Sequence, residues 1–548
     1  MRRVRIVFSL LVFLLLSAQF LDIFHRLPES WYTYHPTKTQ FIPSLLNFLG
    51  GGGVLAGAAF LTFTVTTLLF GRVYCSFFCP LGIGMDIVRW IAKFPARNRF
   101  LKKSTLGRYC ARALKLSWGP AWNKLRLAAV IFAALLIALG FTSLLGFLDP
   151  YSLFGKIFGL IVFPGLSLAN NEFSNIMIER GVYTFKAVNG DVRFSLAIFA
   201  MALLILAGIS ALSIWRGRFY CNTLCPVGTL LGVIARRAAW RIEIDQDACR
   251  KCGACLKACK AQCIDLRTAE IDASRCVGCF NCVPVCTEGG IGLVWKWHRG
   301  AAKAPEAPAP ESSAPPADEG RRAFISGSAL ALTAAAGVAG AVVAEAGRRR
   351  RGQGRGPQDQ GIVFGPVCPP GSKSVERFLD VCTACHLCVS ACPTGVLRPA
   401  TLEYGWAGLT KPQMDFSKSF CNFDCNRCGE VCPEGAIFPL ALAEKKTTQL
   451  GVARFRRRMC IVHEAGTACG ACAEHCPTGA VHMVPFRDGL TIPQVEPEQC
   501  IGCGACEYAC PVRPARAIRV EALPVHGRAI VVKDKPAESP APVDDFPF

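Results

Sequence analysis

Cysteines dominate the chemistry available to this chain of 548 residues, which contains 31 of them. The middle of the chain carries two runs of the form C-x2-C-x2-C-x3-C, a spacing with which bacterial proteins bind [4Fe–4S] clusters through thiolates. In proteins with two such clusters, the fourth cysteine of each run ligates the cluster of the other run. One predicted cluster therefore takes Cys249, Cys252, Cys255 and Cys286, and the other takes Cys276, Cys279, Cys282 and Cys259.

Four further runs lie toward the C-terminus, and each of them ends in Cys-Pro. They are Cys382, Cys385, Cys388 and Cys392; Cys421, Cys425, Cys428 and Cys432; Cys460, Cys469, Cys472 and Cys476; and Cys500, Cys503, Cys506 and Cys510. Structural zinc sites take a single set of four ligands without this ending, so the six runs predict six [4Fe–4S] clusters. The pairing of the last four runs stays open between sequential pairing and first with fourth, second with third.

Other cofactors are not indicated by the sequence. Cys382 to His386 matches the C-x-x-C-H pattern of haem attachment, but the same cysteines complete a cluster run. No G-x-G-x-x-G motif follows a predicted strand, so neither NAD nor FAD binding is signalled. We therefore expect a chain that moves electrons, and whether it is itself an enzyme stays open.

Composition indicates a membrane protein, since 52% of the residues are hydrophobic and only 18% are charged. Apolar stretches at about 1–24, 41–70, 127–147 and 192–214 predict four spans. The net charge of +22 comes largely from basic residues in loops beside these stretches, which argues against nucleic-acid binding. The 71–125 loop is much more basic than the 25–40 and 149–191 loops, so it is predicted to be cytoplasmic, together with 241–297.

The membrane part contains an internal repeat. Residues 71–82 match residues 217–228, and each copy carries a C-x3-C-P motif after an apolar stretch. The duplication predicts that Cys75, Cys79, Cys221 and Cys225 lie near each other at the cytoplasmic membrane surface. These four cysteines are candidates for a metal site or a redox-active pair.

Residues 301–346, between the two sets of cysteine runs, contain a predicted linker and a possible targeting segment. Residues 301–320 are rich in Pro and Ala, which predicts an exposed linker. Arg321-Arg322 before an apolar segment that extends to 346 is similar to a twin-arginine export signal. A fifth span, a cytoplasmic tether and cleavage near Ala344-Glu345-Ala346 are the alternatives. Export or a fifth span would place 365–530 outside the cytoplasm, and 531–548 is predicted to be a disordered tail.

A membrane quinol is the expected electron donor, and its oxidation requires a proton acceptor at the membrane edge. Polar candidates on the predicted outer face are His25, Glu29, His35, Asp149 and Glu179. His25 follows the first apolar stretch directly and is the residue that we predict to be catalytic at the quinol site.

Two families of bacterial proteins resemble the two halves of the chain. Residues 1–297 resemble the NapH/MauN type of membrane ferredoxin, with four spans, two C-x3-C-P motifs and a cytoplasmic two-cluster domain. Residues 321–530 resemble the NapG/MauM type, with a twin-Arg leader, Pro369-Pro370-Gly371 and four cysteine runs. Lys260 and Thr287 follow Cys259 and Cys286 where the family pattern has proline. The resemblance implies a quinol dehydrogenase of the bacterial inner membrane that passes electrons to a periplasmic reductase.

The expected fold therefore combines an α-helical membrane domain with two α+β ferredoxin-like domains. The membrane domain covers 1–240, the two-cluster domain 241–300 and the four-cluster domain 365–530. The alternative function is a biogenesis factor that supplies electrons or metal for the assembly of a respiratory metalloenzyme. In that hypothesis Cys75, Cys79, Cys221 and Cys225 handle copper or disulfides.

Overall fold

The computed structural model describes residues 2–33, 36–51, 54–98, 104, 108, 114–188, 195–296 and 365–530. The predicted linker at 301–320, the twin-arginine-like segment at 321–346 and the tail at 531–548 lie outside the described residues. The chain divides into two compact units. Unit 1 comprises Met1–Ser17, Pro36–Ile157 and Ala200–Gln360, and unit 2 comprises Ala18–His35, Phe158–Phe199 and Gly361–Phe548.

Three helices among the described residues are long and apolar enough to cross a membrane: Arg2–Leu21, Pro150–Glu179 and Leu196–Arg216. Two shorter apolar helices are Gly57–Phe70, which is part of Val54–Phe70, and Pro226–Ala235. These helices are consistent with a membrane protein, but they differ from the four spans that the sequence predicted.

Glycines interrupt two of the predicted spans. The stretch at 41–70 forms two helices, Phe41–Leu49 and Val54–Phe70, and Gly51 between them has a φ of +92°, which residues with a side chain rarely adopt. The stretch at 127–147 ends its main helix, Asn123–Ala138, just before Gly140, and a short helix, Thr142–Leu145, follows.

The sequence prediction treated 149–191 as an outer loop, whereas the structure has a long helix there. Its segments are Pro150–Ile157, a π-helical turn at Phe158–Val162, and Phe163–Glu179. Asn170, Asn171 and Glu172 lower the apolar signal in its second half, although its most apolar window has a mean hydropathy of 1.7. Pro164 lies in the first turn of the last segment, where its missing N–H costs no hydrogen bond.

The two copies of the repeat form matching helix pairs in unit 1. Tyr74–Phe77 precedes Pro80–Arg97, and Phe219–Thr223 precedes Pro226–Ala235. Cys79 and Cys225 are the N-caps of the second helices, and each thiol accepts a backbone N–H three residues later. Each motif proline occupies the start of its helix, which its fixed φ favours.

The two-cluster domain of unit 1 is built from two small antiparallel strand pairs. Trp240–Ile244 pairs with Ile291–Trp295, and Ile264–Asp265 pairs with Glu270–Ile271. A helix, Ala254–Ala258, and a 3₁₀ turn, Val283–Val285, lie within the two cysteine runs. This arrangement of short strands and short helices agrees with the expected α+β domain.

The four-cluster region of unit 2 is also built from antiparallel strand pairs and short helices, but it has more of them. Its strand pairs are Leu397–Pro399 with Pro412–Met414, Thr448–Phe455 with Ile518–Arg528, and Val481–Pro485 with Thr491–Val495. Its α-helices are Val375–Val381, Leu387–Ser390, Arg427–Val431, Leu442–Thr447, Ile461–Glu464, Ala471–Glu474 and Ala505–Ala509. Cysteines of the last two runs share a buried core with Val452, Val462 and Ile518.

Two 3₁₀ helices, Trp406–Gly408 and Arg457–Met459, lie in the four-cluster region, and two more short helices follow the first long helix. Glu29–Thr33 lies in unit 2, where it packs against Arg427–Val431, and the 3₁₀ helix Pro36–Thr39 lies in unit 1. Unit 2 thus joins two segments from the N-terminal half of the chain to the four-cluster region.

Candidate iron–sulfur centres and the His25 cavity

The two-cluster domain groups its cysteines in the two predicted sets. Burial raises the pKa of Cys282, and Cys279, Cys276 and Cys259 nearby raise it further. Cys249, Cys252, Cys255 and Cys286 line a separate cavity of about 220 Å³. The structure therefore brings the fourth cysteine of each run to the other run.

The first two runs of unit 2 exchange their fourth cysteines with each other. Burial raises the pKa of Cys428, and Cys421, Cys392 and Cys425 raise it further. Burial likewise raises the pKa of Cys388, with Cys382 and Cys432 as the next causes. Cys392 thus joins the second run, and Cys432 joins the first.

The last two runs follow the same rule. Burial raises the pKa of Cys500, and Cys476 raises it further. Burial also raises the pKa of Cys472, which Cys469, Cys460 and Cys510 raise further. The pairing that the sequence left open is therefore sequential. The second run also meets the fourth, since the N–H of Cys421 donates to the carbonyl of Cys503 at 2.9 Å.

The donors around these thiols fit four-thiolate clusters. The cysteines of the runs form no disulfides within the described residues, and backbone N–H groups of Ile437 and Ala453 donate to the sulfurs of Cys432 and Cys500 at 3.4 Å. Hydrogen bonds of this kind tune the potential of an iron–sulfur centre. Gly253 at +76°, Gly504 at +80° and His386 at +63° adopt positive φ just before short helices within their runs. At these three positions the backbone can therefore turn sharply between the cysteines of a run.

The four cysteines of the C-x3-C-P repeat are buried in unit 1, and two arginines link the copies reciprocally. Arg72 donates to the carbonyl of Cys221, and Arg218 donates to the carbonyl of Cys75, both at 2.9 Å. Each guanidinium also approaches the sulfur in its own copy, Arg72 to Cys75 at 3.8 Å and Arg218 to Cys221 at 3.9 Å. Within the described residues, no three His, Cys, Asp or Glu side chains are arranged so that they could hold a metal ion, neither at this repeat nor at the cysteine runs. A metal at the repeat and the six clusters therefore stay predictions.

The repeat contacts the backbone beside the neighbouring cluster ligands. Arg72 donates to the carbonyl of Ser274 at 2.9 Å, and Ser76 donates to the carbonyl of Val277 at 2.7 Å. The backbone N–H of Arg218 donates to the carbonyl of Lys260 at 2.8 Å. Cys276 lies between Ser274 and Val277, and Cys259 precedes Lys260. The sequence analysis missed these arginines, although each occupies the same position in both copies of the repeat.

His25 lines a cavity of about 470 Å³ in unit 2. The lining also includes the predicted cluster ligand Cys425, together with Arg427, Glu430 and Lys186. The cavity therefore brings a candidate proton acceptor and a candidate cluster ligand to one space. Among the other outer-face candidates, Asp149 is buried in unit 1 and bonded to Ser152, Glu179 is exposed, and neither His35 nor the Glu29 side chain is described.

Two contacts hold the His25 backbone in a left-handed conformation with a φ of +54°. Its N–H donates to the carbonyl of Asp22 at 3.2 Å, and Arg427 donates to its carbonyl at 3.1 Å. Asp22 accepts from the hydroxyl of Tyr32, and Arg427 lies 5.0 Å from the centre of the Tyr32 ring.

Burial and the positive charge of Arg427 lower the pKa of His25, and Asp22 opposes them. The imidazole is therefore neutral at neutral pH. Its buried Nδ1 has no hydrogen-bond partner among the described residues. A neutral ring with such a nitrogen can accept a proton.

Three family models match the chain. A 4Fe-4S binding domain matches residues 53–101 and 198–243, and 4Fe-4S dicluster domains match 381–437 and 466–513. The ferredoxin-type protein NapF of Escherichia coli K12 is 30% identical over 160 residues, which are 29% of this chain and 87% of NapF. The methylamine utilization ferredoxin-type protein MauM of Methylorubrum extorquens is 32% identical over 160 residues, 28% of this chain and 70% of MauM. No solved structure matches the chain.

Proposed function

Because the chain belongs to the family of ferredoxin-type iron–sulfur electron-transfer proteins that includes NapF and MauM, we propose that it is a membrane-bound protein that oxidises quinol. The electrons pass through six [4Fe–4S] clusters to a periplasmic reductase. The N-terminal half would be the NapH-like membrane part of this fusion, and the C-terminal half would be the NapG-like part. Four-thiolate clusters supply one-electron transfer when bound.

The observation that carries this proposal is the cavity that His25 shares with Cys425. A quinol releases two protons and two electrons when it becomes a quinone. Nδ1 of His25 accepts one proton, and the carboxylate of Glu430 in the same cavity offers a site for the second. Arg427 holds the His25 backbone, so the imidazole keeps its place while the quinol binds.

The charge of the loops supports opposite sides of the membrane for the two sets of clusters. The loops at 25–40 and 149–191 are weakly basic, whereas the 71–125 loop is strongly basic. Because basic loops stay in the cytoplasm, the two-cluster domain is cytoplasmic in this proposal, and the four-cluster region, which follows the twin-arginine-like segment, is periplasmic. Electrons then leave on the side where the proposed reductase lies.

The substitution His25→Asn tests the quinol site, since asparagine tolerates the left-handed backbone but supplies no base. We expect reduction of the clusters by a water-soluble quinol to slow by about 100-fold, the lower end of general-base effects. Reduction by dithionite stays unchanged, because it requires no proton acceptor in the cavity. His482→Gln, on a side chain that is 43% exposed, is the matched control. Equal quinol rates in His25→Asn and the wild type would refute the role of His25.

One contact favours the biogenesis factor as the second candidate. The sulfur of Cys221 lies 4.0 Å from the sulfur of Met85, and thiolate and thioether sulfurs together suit Cu(I). Replacing Cys75, Cys79, Cys221 and Cys225 by serine separates the two functions. Lost assembly of a copper-containing partner with intact quinol oxidation favours the biogenesis factor, and lost quinol oxidation favours the dehydrogenase.

A further inference from the structure

A second large cavity lies in unit 1, between the candidate span Arg2–Leu21, the helix Pro80–Arg97 and the two-cluster domain. Its volume is about 420 Å³, and we call it the Asp86 cavity. One wall comes from the first turns of Arg2–Leu21 and another from Pro80–Arg97. Ala258, Lys260 and Asn281 of the two-cluster domain form a third wall, beside the predicted ligands Cys259, Cys279 and Cys282. None of the functions above uses this cavity.

The charges around the Asp86 cavity do not balance. Among the described residues that line it, five side chains are basic, namely Arg2, Arg5, Arg89, Lys93 and Lys260, and one is a carboxylate, Asp86. Asp86 is already paired with Arg218 at 2.8 Å, with Arg5 at 3.4 Å and with Lys260. One carboxylate shared among these groups leaves a strong excess of positive charge in the cavity.

Two of the lining arginines have no carboxylate of their own within the described residues. Arg89 donates to the carbonyls of Ser213, Ile214 and Leu114, and carbonyls carry no net charge. Arg5 shares Asp86 with other cations and is only 5% exposed, and its buried Nε has no hydrogen-bond partner among the described residues. A buried donor of this kind is costly unless another group accepts a hydrogen bond from it.

The remainder of the lining is mostly apolar, and one wall belongs to Arg2–Leu21, a helix long and apolar enough to cross a membrane. Ile6, Leu10, Ile83 and Ile87 line the cavity, and Trp90 at its edge is 74% exposed. Tryptophan is enriched at membrane–water interfaces, where its ring meets both lipid and headgroups. The ligand should therefore combine an anionic head with an apolar body.

We propose that the Asp86 cavity binds an anionic phospholipid, with its phosphate among Arg2, Arg5 and Lys93 and its acyl chains along the isoleucines and Leu10. Basic pockets between membrane helices on the cytoplasmic side suit such headgroups. The inference rests on the membrane placement in the proposed function but not on quinol oxidation. Because Lys260 and Asn281 form part of the wall, the bound lipid fastens the two-cluster domain to the membrane helices.

A quinone fits this cavity less well, for two reasons. Its head is neutral, so it would leave the excess of positive charge uncompensated. Asp86 is also a poor proton acceptor, because Arg218 and Lys260 hold the pKa of its carboxyl well below the usual range although burial opposes them. A phosphate diester needs no proton acceptor and supplies the missing negative charge.

The test uses the full chain in nanodiscs of phosphatidylcholine with or without phosphatidylglycerol. Native mass spectrometry after mild delipidation counts the phospholipids that each protein retains. The double variant Arg2→Gln/Lys93→Gln removes two exposed cations from the cavity, and Lys251→Gln/Lys257→Gln removes two exposed cations of the two-cluster domain. We expect the wild type and the second variant to retain phosphatidylglycerol, and the first to bind it about 30-fold more weakly.

Three results would overturn the lipid assignment. These are equal retention of phosphatidylcholine and phosphatidylglycerol by the wild type, equal loss in both double variants, and a quinone retained in place of the phospholipid. Equal iron content in all three proteins verifies that they are folded. Because the readout is lipid retention, it stands apart from the His25→Asn measurement, and either proposal can fail without the other.

Discussion

The His25 cavity of unit 2 and the Asp86 cavity of unit 1 are similar in size but opposite in chemistry. Both lie beside predicted cluster ligands, Cys425 in one case and the loops of Cys259 and Cys279 in the other. His25 offers a neutral ring nitrogen without a partner, whereas Asp86 is held in ion pairs with three cations. A group that can change its protonation suits proton-coupled oxidation, and a group that is locked in ion pairs suits permanent binding of charge. Proximity to a cluster does not by itself identify a quinol site.

The largest expected effect is a loss of iron. It tests a feature that both units share, namely that the fourth cysteine of one run belongs to the cluster of its paired run. Cys259→Ala/Cys276→Ala in unit 1 and Cys392→Ala/Cys421→Ala in unit 2 should each remove about four of about 24 iron atoms, because both cysteines of a pair belong to one cluster. Loss of about eight atoms from either variant would mean that its two cysteines serve different clusters. Iron analysis with electron paramagnetic resonance gives the count. Cys368→Ala, in a buried cysteine outside the runs, is the control.

The next effect concerns one aspartate from each cavity. Asp86→Asn leaves Arg218 and Lys260 without their carboxylate, and we expect it to lower the free energy of unfolding by about 3 kcal/mol. Asp424→Asn, in the His25 cavity, should cost less than about 0.5 kcal/mol, because that side chain is 65% exposed and its ion pair within the described residues is with Lys446. Chemical unfolding in detergent, followed by cluster absorbance, measures both. Similar losses of unfolding free energy in the two variants would contradict the electrostatic difference between the cavities.

The smallest of these effects is an acid sensitivity of unit 2, which holds every histidine that the structure describes. Burial lowers the pKa of His526 to about 4, and neither ring nitrogen has a partner among the described residues. Its unfolded state therefore binds the proton more readily, so stability is present above pH 6.5 and is lost as the pH falls. Between pH 7 and pH 5 the loss should be about 2 kcal/mol.

His526→Leu should remove this pH dependence, because leucine binds no proton, whereas His482→Gln should leave it intact. Thermal unfolding of the purified protein at both pH values measures the difference. If unit 1 lost as much stability as unit 2 over this range, the acid sensitivity would have to come from groups other than these histidines.

Local spacing predicted how the cysteines group, whereas their role as cluster ligands stays a prediction. The exchange of Cys259 and Cys286 followed from the two runs, since each run supplies three candidate ligands within a few residues. The pairing of the last four runs did not follow, because it depends on how the chain returns after each run. The helix Pro150–Glu179 was missed because Asn170, Asn171 and Glu172 follow its apolar part, although its most apolar window has a mean hydropathy of 1.7. Asn170 and Asn171 bond to the backbone of Lys186 and Val188, and a hydropathy window does not count such contacts.

The sequence by itself determined the number of cysteine sets and the duplication of the C-x3-C-P motif, because these depend on residues a few positions apart. Only the tertiary structure decided what surrounds them. Arg5, Asp86 and Lys260 meet in one ion-pair network, and His25 meets Arg427, although these residues are far apart in the chain. A buried charge needs a partner, and the fold supplies that partner from a residue far away in the chain. The cavities and their opposite chemistry therefore come from long-range packing, and local motifs in the sequence do not predict them.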